Sequence, residues 1–210
     1  MLDAACTGHV FTSPTPDQIV AAIRETEGGE GCLLIVKKYD GDVMNFEMAA
    51  EFVAAEHRIA TVVVRDDVNP GGSKRSQGRR GVAGTLVMEK LLGAAAEAGW
   101  RLAELSALGE DLNRRIRTMG VALSGVTVPH TERKTFVLNE DEMEMGVGIH
   151  GEPGRARVKL ATADEIVKTM LEAILSHLAP DRGDKLLLFI NGWHAGFRAL
   201  SRLQFRPSTA

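Results

Sequence analysis

The sequence is short of several things that would point to particular classes of protein. Its 210 residues include only two cysteines, Cys6 and Cys32. They stand too far apart for a CxxC redox or zinc pair, and two thiols cannot staple a chain of this length, so both read as small, reduced, buried residues. Aromatic residues make up 5% of the chain and the net charge is only −3. With no aromatic residues among the basic ones, that balance argues against a nucleic-acid partner. The longest apolar runs, 32–36 and 186–190, fall far short of the roughly 20 residues that span a bilayer, and Met1-Leu2-Asp3 opens no basic leader region. The expectation is a cytoplasmic chain without a membrane span. What remains is ordinary for a folded protein, with 44% hydrophobic and 25% charged residues. The 22 glycines are the exception, exceeding the roughly 7% norm and pointing to tight turns and close backbone approaches.

Periodicity gives an α/β chain of parallel or mostly parallel sheets flanked by helices. Thr15-Pro16-Asp17-Gln18 has the form of a capping box with proline at the first helical position, so a helix runs to about Arg24. Gly31–Val36 is an apolar run without alternation, the pattern of a strand covered on both faces. Val43, Phe46, Ala49, Ala50 and Val53 then recur at helical spacing with Asp42 as the expected N-cap, and Arg58–Val64 supplies a second buried strand. This is one βαβ unit. A polar stretch, Asp66–Gly81, carries Lys74, Arg75, Arg79 and Arg80. Helices are expected from Val82 to Gly99 and from Leu102 to Met119. Strands follow at 121–129, 143–149 and 185–190, with a capped helix opening at Thr162-x-x-Glu165. A boundary near residue 120 divides the chain into 1–119, 120–192 and a tail, 193–210.

Open α/β sheets bind ligands beyond the carboxyl ends of their strands, which singles out the stretches 37–42, 66–81 and 150–157. In the first, Lys37 and Asp42 come directly off a strand, with Asp42 at a helix start that favours its anion. Gly146-Val147-Gly148-Ile149-His150-Gly151 matches GxGxxG, but Glu152-Pro153-Gly154 follows at once and no helix opens on the third glycine, so the dinucleotide reading fails on context. Those glycines leave His150 flanked by residues without bulk, where an imidazole can serve as nucleophile, base or metal ligand. No second histidine lies at the i+4 spacing of a helical zinc pair.

Several of these segments together resemble the dihydroxyacetone kinase K subunit, or the K domain of the single-chain enzyme. The resemblance runs from Met1 to about Gly192. It includes the segment from Cys6 to Asp17, Lys37-x-Tyr39-x-Gly41-Asp42-x-x-Asn45-Phe46-Glu47, Gly78-Arg79-Arg80-Gly81 and the long run from Glu142 to Gly154. It implies the two-subdomain K fold, incomplete here. Relatives carry an upstream Gly-Gly-Gly-Ser-Gly-His-Glu-Pro type loop and continue past the Asn191-Gly192 position with a Gly-Gly-Thr-Pro-like turn. It implies that the ring nitrogen of His150 adds to the ketone carbon of dihydroxyacetone as a covalent hemiaminal, and that Lys37 and Asp42 line the substrate pocket, with Asp42 acting beside His150 in catalysis. No cofactor is then expected on this chain: ATP or ADP with magnesium would sit on a partner L subunit or domain, and a homodimer is implied. The alternatives are a kinase for a related ketose such as erythrulose, or a catalytically inactive ketose-binding or regulatory remnant.

Overall fold

The computed structural model describes residues 1–68, 78–128, 133–152, 154 and 156–192. Lys74 and Arg75, the end of the 121–129 strand, His130, His194 and the 193–210 tail lie outside the described residues.

The first half is a parallel strand pair sandwiched by helices. Helix α1 (Pro16–Thr26) opens on the Thr15/Gln18 capping box with Pro16 in its first turn. Strand β1 (Cys32–Lys37) pairs in parallel with β2 (Ile59–Val64), Cys32 opposite Ile59 and Lys37 opposite Val64. Helix α2 (Asp40–Val53) forms the crossover. Side chains alternate across the strand. Leu34 and Val36 pack with Ile19, Ile23, Ala49 and Val53 of α1 and α2. Leu33 and Ile35 pack with Val62, Val64, Met88, Leu92 and Leu112 on the other face, where α3 (Gly84–Glu97) and α4 (Leu102–Arg115) lie. The two free cysteines are partly buried against the α1/α2 cluster. Gly109 on α4 is fixed by packing, since a Cβ there would run into the side chain of Val62.

The second half adds β3 (Val121–Ala122), β4 (Glu142–Met145), β5 (Ala156–Lys159) and α5 (Ala163–Leu178). Met119, Val121, Met143, Met145, Ile166 and Ala173 form its core, joined by Val68. Helix α5 begins on the expected cap, the Thr162 side chain accepting from the Glu165 N–H.

The chain is α/β, with the expected parallel pair, and the details differ at six places. Among the described residues, the expected strand at 121–129 is a ladder only at Val121–Ala122, and the helix expected to run to Met119 ends at Arg115. The second sheet, in the order β3-β4-β5, is antiparallel throughout. Asp42 is not the cap of α2: Tyr39 holds that position and Asp42 stands in the first helical turn. Strand β4 stops at Met145 because Gly146 takes φ +75°, a left-handed conformation that ends the ladder. Residues 185–190 form no strand and are exposed, Leu187 at 86%. A buried strand needs a ladder partner, and neither sheet offers 185–190 one among the described residues.

One buried carboxylate ties the end of β2 to the start of α3 and to the segment after α4. Asp66, 1% exposed, accepts hydrogen bonds from the backbone N–H groups of Val82 (2.8 Å) and Gly84 (2.7 Å) at the start of α3, and from the Thr118 hydroxyl (2.7 Å).

Candidate functional site

His150 sits in the turn after β4. The turn is closed by a hydrogen bond from the Gly151 N–H to the Gly148 carbonyl (3.1 Å), with Gly151 at φ +80°. A side chain at Gly148 would run into the Glu152 carboxylate and the Arg80 guanidinium. The sequence therefore needs glycine here to let two charged groups close over the backbone. Glu152 holds His150 twice: one carboxylate oxygen accepts the His150 backbone N–H at 2.9 Å, and the other lies 2.8 Å from ring Nδ1. Burial pushes the Glu152 carboxyl up, but hydrogen bonds from the His150 ring and from backbone N–H groups outweigh it and hold it below the usual carboxylate range. An ionised Glu152 can only accept, so Nδ1 carries a proton, and in the neutral ring it is Nε2 that presents the lone pair. Two rings meet the imidazole edge to face: Tyr39 at 4.8 Å between centroids and Phe11 at 5.4 Å. Both His150 and Glu152 keep 31% of their side chains exposed, so the imidazole is framed yet reachable.

Asp42 and Lys37 belong to the same neighbourhood. Burial raises the Asp42 carboxyl above its ordinary range, opposed by a hydrogen bond from the Ser13 side chain and by the charges of His150 and Lys37. A Cβ on Gly41 would crowd the Ser13 hydroxyl, so this glycine lets Ser13 approach the start of α2. Lys37, the last residue of β1, lines a cleft of about 180 Å³ with Val82, Thr85, Glu89, Ile149 and Asn191. The Thr85 hydroxyl there is buried without a hydrogen-bond partner among the described residues. Arg80 bridges the two halves: its Nε donates to Asp67 at 2.7 Å and its Nη2 to the Gly146 carbonyl at 2.8 Å.

The structure thus brings Lys37, Asp42 and His150 into one electrostatic neighbourhood. It adds Ser13, Glu152, Tyr39, Phe11 and Arg80, none of which composition or periodicity singles out as a group. Glu152 had a local signal, a carboxylate two residues past the histidine in a glycine-bound turn; Phe11 and Ser13 had none. His57, by contrast, faces Glu27 at 2.9 Å, a carboxylate that also holds the Gly29 and Gly31 N–H groups, and serves a turn. Among the described residues, no cluster of three His, Cys, Asp or Glu side chains could hold a metal ion. No described helix is long and apolar enough to cross a membrane.

Comparison with known proteins places this geometry. The chain is 50% identical over 196 residues to the PTS-dependent dihydroxyacetone kinase 1, dihydroxyacetone-binding subunit DhaK, of Listeria innocua, a match covering 93% of this chain and 60% of that one. Among solved structures it is similar to the dihydroxyacetone kinase operon co-activator Dha-DhaQ (TM-score 0.74, 32% identity, 80% of this chain and 52% of that one). It is also similar to the dihydroxyacetone kinase of C. freundii (TM-score 0.72, 33% identity, 80% and 31%). The chain spans about 60% of the Listeria subunit's length, so these matches describe a shared portion. The Dak1 domain model matches residues 1–199, nearly the whole of the sequence and every residue described above, and the chain belongs to the Dak1 domain family.

Proposed function

We propose that this chain is the ketose-binding part of a dihydroxyacetone kinase, the K unit, with His150 as the covalent anchor for dihydroxyacetone and Lys37 and Asp42 as its neighbours in the pocket. The observation that carries this is the Glu152–His150 pair. A carboxylate on Nδ1 fixes the tautomer that leaves Nε2 nucleophilic, in a turn open to a small ligand. Dihydroxyacetone differs from glycerol chiefly in its carbonyl, and hydrogen bonds alone discriminate such polyols poorly. Only a carbonyl accepts an imidazole nucleophile.

In this reading the Nε2 lone pair forms a bond to the carbonyl carbon, and the C=O π pair moves onto oxygen. Asp42, whose burial favours its protonated form, gives that oxygen a proton. The imidazolium formed keeps its Nδ1 proton and is balanced by the ionised Glu152, so the adduct carries a hydroxyl on the former carbonyl carbon and an ion pair beneath it. Lys37 offsets the charge left on Asp42. The captured ketose then presents a terminal hydroxyl, which attacks the phosphoryl group of a nucleotide held with its magnesium by a separate L subunit or domain. We assign residues 1–119 and 120–192 to two subdomains of this unit and expect it to act as a homodimer. The Listeria relative is named for a phosphotransferase-system donor, and the same donor is proposed here.

Intact-mass spectrometry under native conditions tests the reading. A hemiaminal adds the whole ketose without loss of water, whereas an imine on Lys37 would lose water and be trapped by borohydride. A water-retaining adduct that borohydride does not fix is the expected outcome; an unchanged mass sinks the assignment of His150.

Two further results are expected. Carboxylate-to-amide exchange beside a catalytic histidine costs up to about 10⁴ in rate where the pair is sealed from water. Here the pair is partly exposed, so Glu152→Gln should slow adduct formation by about 10², read by stopped mixing and mass analysis. Asp42→Asn should raise thermal stability. Its folded carboxyl is shifted up, so the native state binds more protons than the unfolded one and Asp42 lowers stability as pH climbs from its ordinary value of 3.8 through the raised one. The gain from asparagine should therefore be present at neutral pH and vanish in acid below that window; equal gains at both pH values would contradict it.

A second reading rests on the likeness to the operon co-activator, a protein of this fold named for regulation. Under it the ketose is captured as a signal. Adduct formation without turnover, when an L subunit and nucleotide are supplied, would favour it.

A further inference from the structure

A second polar cavity, of about 220 Å³, lies beyond the carboxyl end of β2 and beside the last turn of α4, lined by Arg65, Arg79, Glu110, Asn113, Arg114 and Arg117. Four guanidiniums face one carboxylate. Two are already engaged: Arg65 donates to Glu110 at 3.1 Å, and Arg114 to Asp111 at 2.9 Å. The Asn113 side chain is also committed, its oxygen accepting the Arg65 N–H (3.1 Å) and its nitrogen donating to the Val63 carbonyl (3.0 Å). Arg117 uses Nη1 on the carbonyls of Asn113 (2.8 Å) and Ile116 (2.6 Å) at the end of α4, while its Nε is buried with no hydrogen-bond partner. Arg79, half-buried, has no hydrogen bond or ion pair with any described residue. Arg79 and Arg117 line the same cavity; burial and then the charge of Arg79 push the Arg117 guanidinium down, opposed by the carboxylate of Asp66.

We propose that this cavity binds a small phosphate-class anion between the Arg79 and Arg117 guanidiniums. A planar guanidinium matches a tetrahedral oxyanion with two parallel N–H donors, and two of them neutralise a dianion. Ordinary ligand pockets are mostly apolar with a few polar groups; the described residues lining this one are all charged or amide side chains. With no aliphatic or aromatic residue among the described ones that line it, it suits a compact anion and not a nucleotide. Capping of α4 accounts for Nη1 of Arg117 and for Arg114, since cations complement a helix C-terminus. It leaves Arg79 without a hydrogen-bond or ion-pair partner among the described residues. The site is separate from the ketose neighbourhood but adjoins it in the chain, because the next residue, Arg80, reaches Gly146.

The test is calorimetric titration of the intact chain with inorganic phosphate at constant ionic strength, chloride serving as the balancing ion so that simple screening cancels. Saturable binding of one phosphate is expected, weakened about tenfold or more in Arg79→Gln, since a charged bidentate contact is lost. Arg79 makes no hydrogen bond or ion pair with a described residue, so circular dichroism and ketose adduct formation should stay unchanged in that variant. Arg79→Lys should keep part of the affinity through its charge. A glycerol phosphate arm distinguishes sources: tighter binding than inorganic phosphate identifies a phosphate ester, weaker binding a free anion, and both support the site. Absence of saturable binding, or equal affinity in Arg79→Gln, overturns it. So does Arg79-dependent binding of an acidic peptide where phosphate fails, which would assign the cavity to a protein partner.

Discussion

Replacing His150 by alanine abolishes the water-retaining ketose adduct and lowers affinity for dihydroxyacetone by about two orders of magnitude or more. The size follows from what remains. Without the imidazole the ligand is held by the hydroxyl contacts of groups such as Asp42 and Lys37. Each neutral hydrogen bond nets about 1 kcal/mol against water, less than a factor of ten in affinity. A molecule with so little apolar surface gains almost nothing from burial. The variant should fold normally: His150 lies in a turn and keeps 31% of its side chain exposed. What it loses is two edge-to-face ring contacts and one hydrogen bond to Glu152. Glycerol separates binding from reaction, since it lacks the carbonyl and should bind wild type and variant alike. If the variant still forms the adduct, the nucleophile is elsewhere, and Lys37 is the group to examine next.

The second large effect is on folding. Asp66→Ala should remove about 4 kcal/mol of stability, measured by urea unfolding. Its carboxylate is 1% exposed and answers three donors, two at the first turn of α3 and one on Thr118. Alanine strands all three in a buried site, where each unsatisfied donor costs about 1–3 kcal/mol. Relief of the desolvated charge and entry of water offset part of that sum. Against a total of about 5–15 kcal/mol for a typical domain, the remainder is large. Asparagine keeps one acceptor but turns an NH₂ toward a donor, and should recover less than half. An alanine variant within about 1 kcal/mol of wild type would show that water replaces the carboxylate freely.

Much of the first half was legible because its signals are local. The Thr15 and Thr162 caps, the unalternating strands and the helical stripes each occupy a few adjacent residues, and local chemistry decides them. The second half depends on pairing. Residues 142–145 are short and β5 is exposed along its length, so nothing in either segment reveals that they run antiparallel. The apolar run at 186–190 reads as a core strand, yet a strand is defined by its neighbours, and the run has no ladder partner among the described residues. The candidate site divides the same way. Lys37, Asp42 and His150 stand next to strand ends, where topology alone directs attention. Ser13 and Phe11 come from a segment before α1 with no periodicity, and their approach to Asp42 and His150 depends on tertiary packing.

Tyr39 has a use beyond framing the imidazole. It is the single tyrosine of the sequence, and its ring centre lies 4.8 Å from that of His150. Fluorotyrosine incorporated during biosynthesis therefore places fluorine on one side chain in the whole molecule, against the ring assigned to attack the ketose. One resonance, free of overlap, can follow the state of that imidazole in a chain whose two tryptophans would confuse an optical signal.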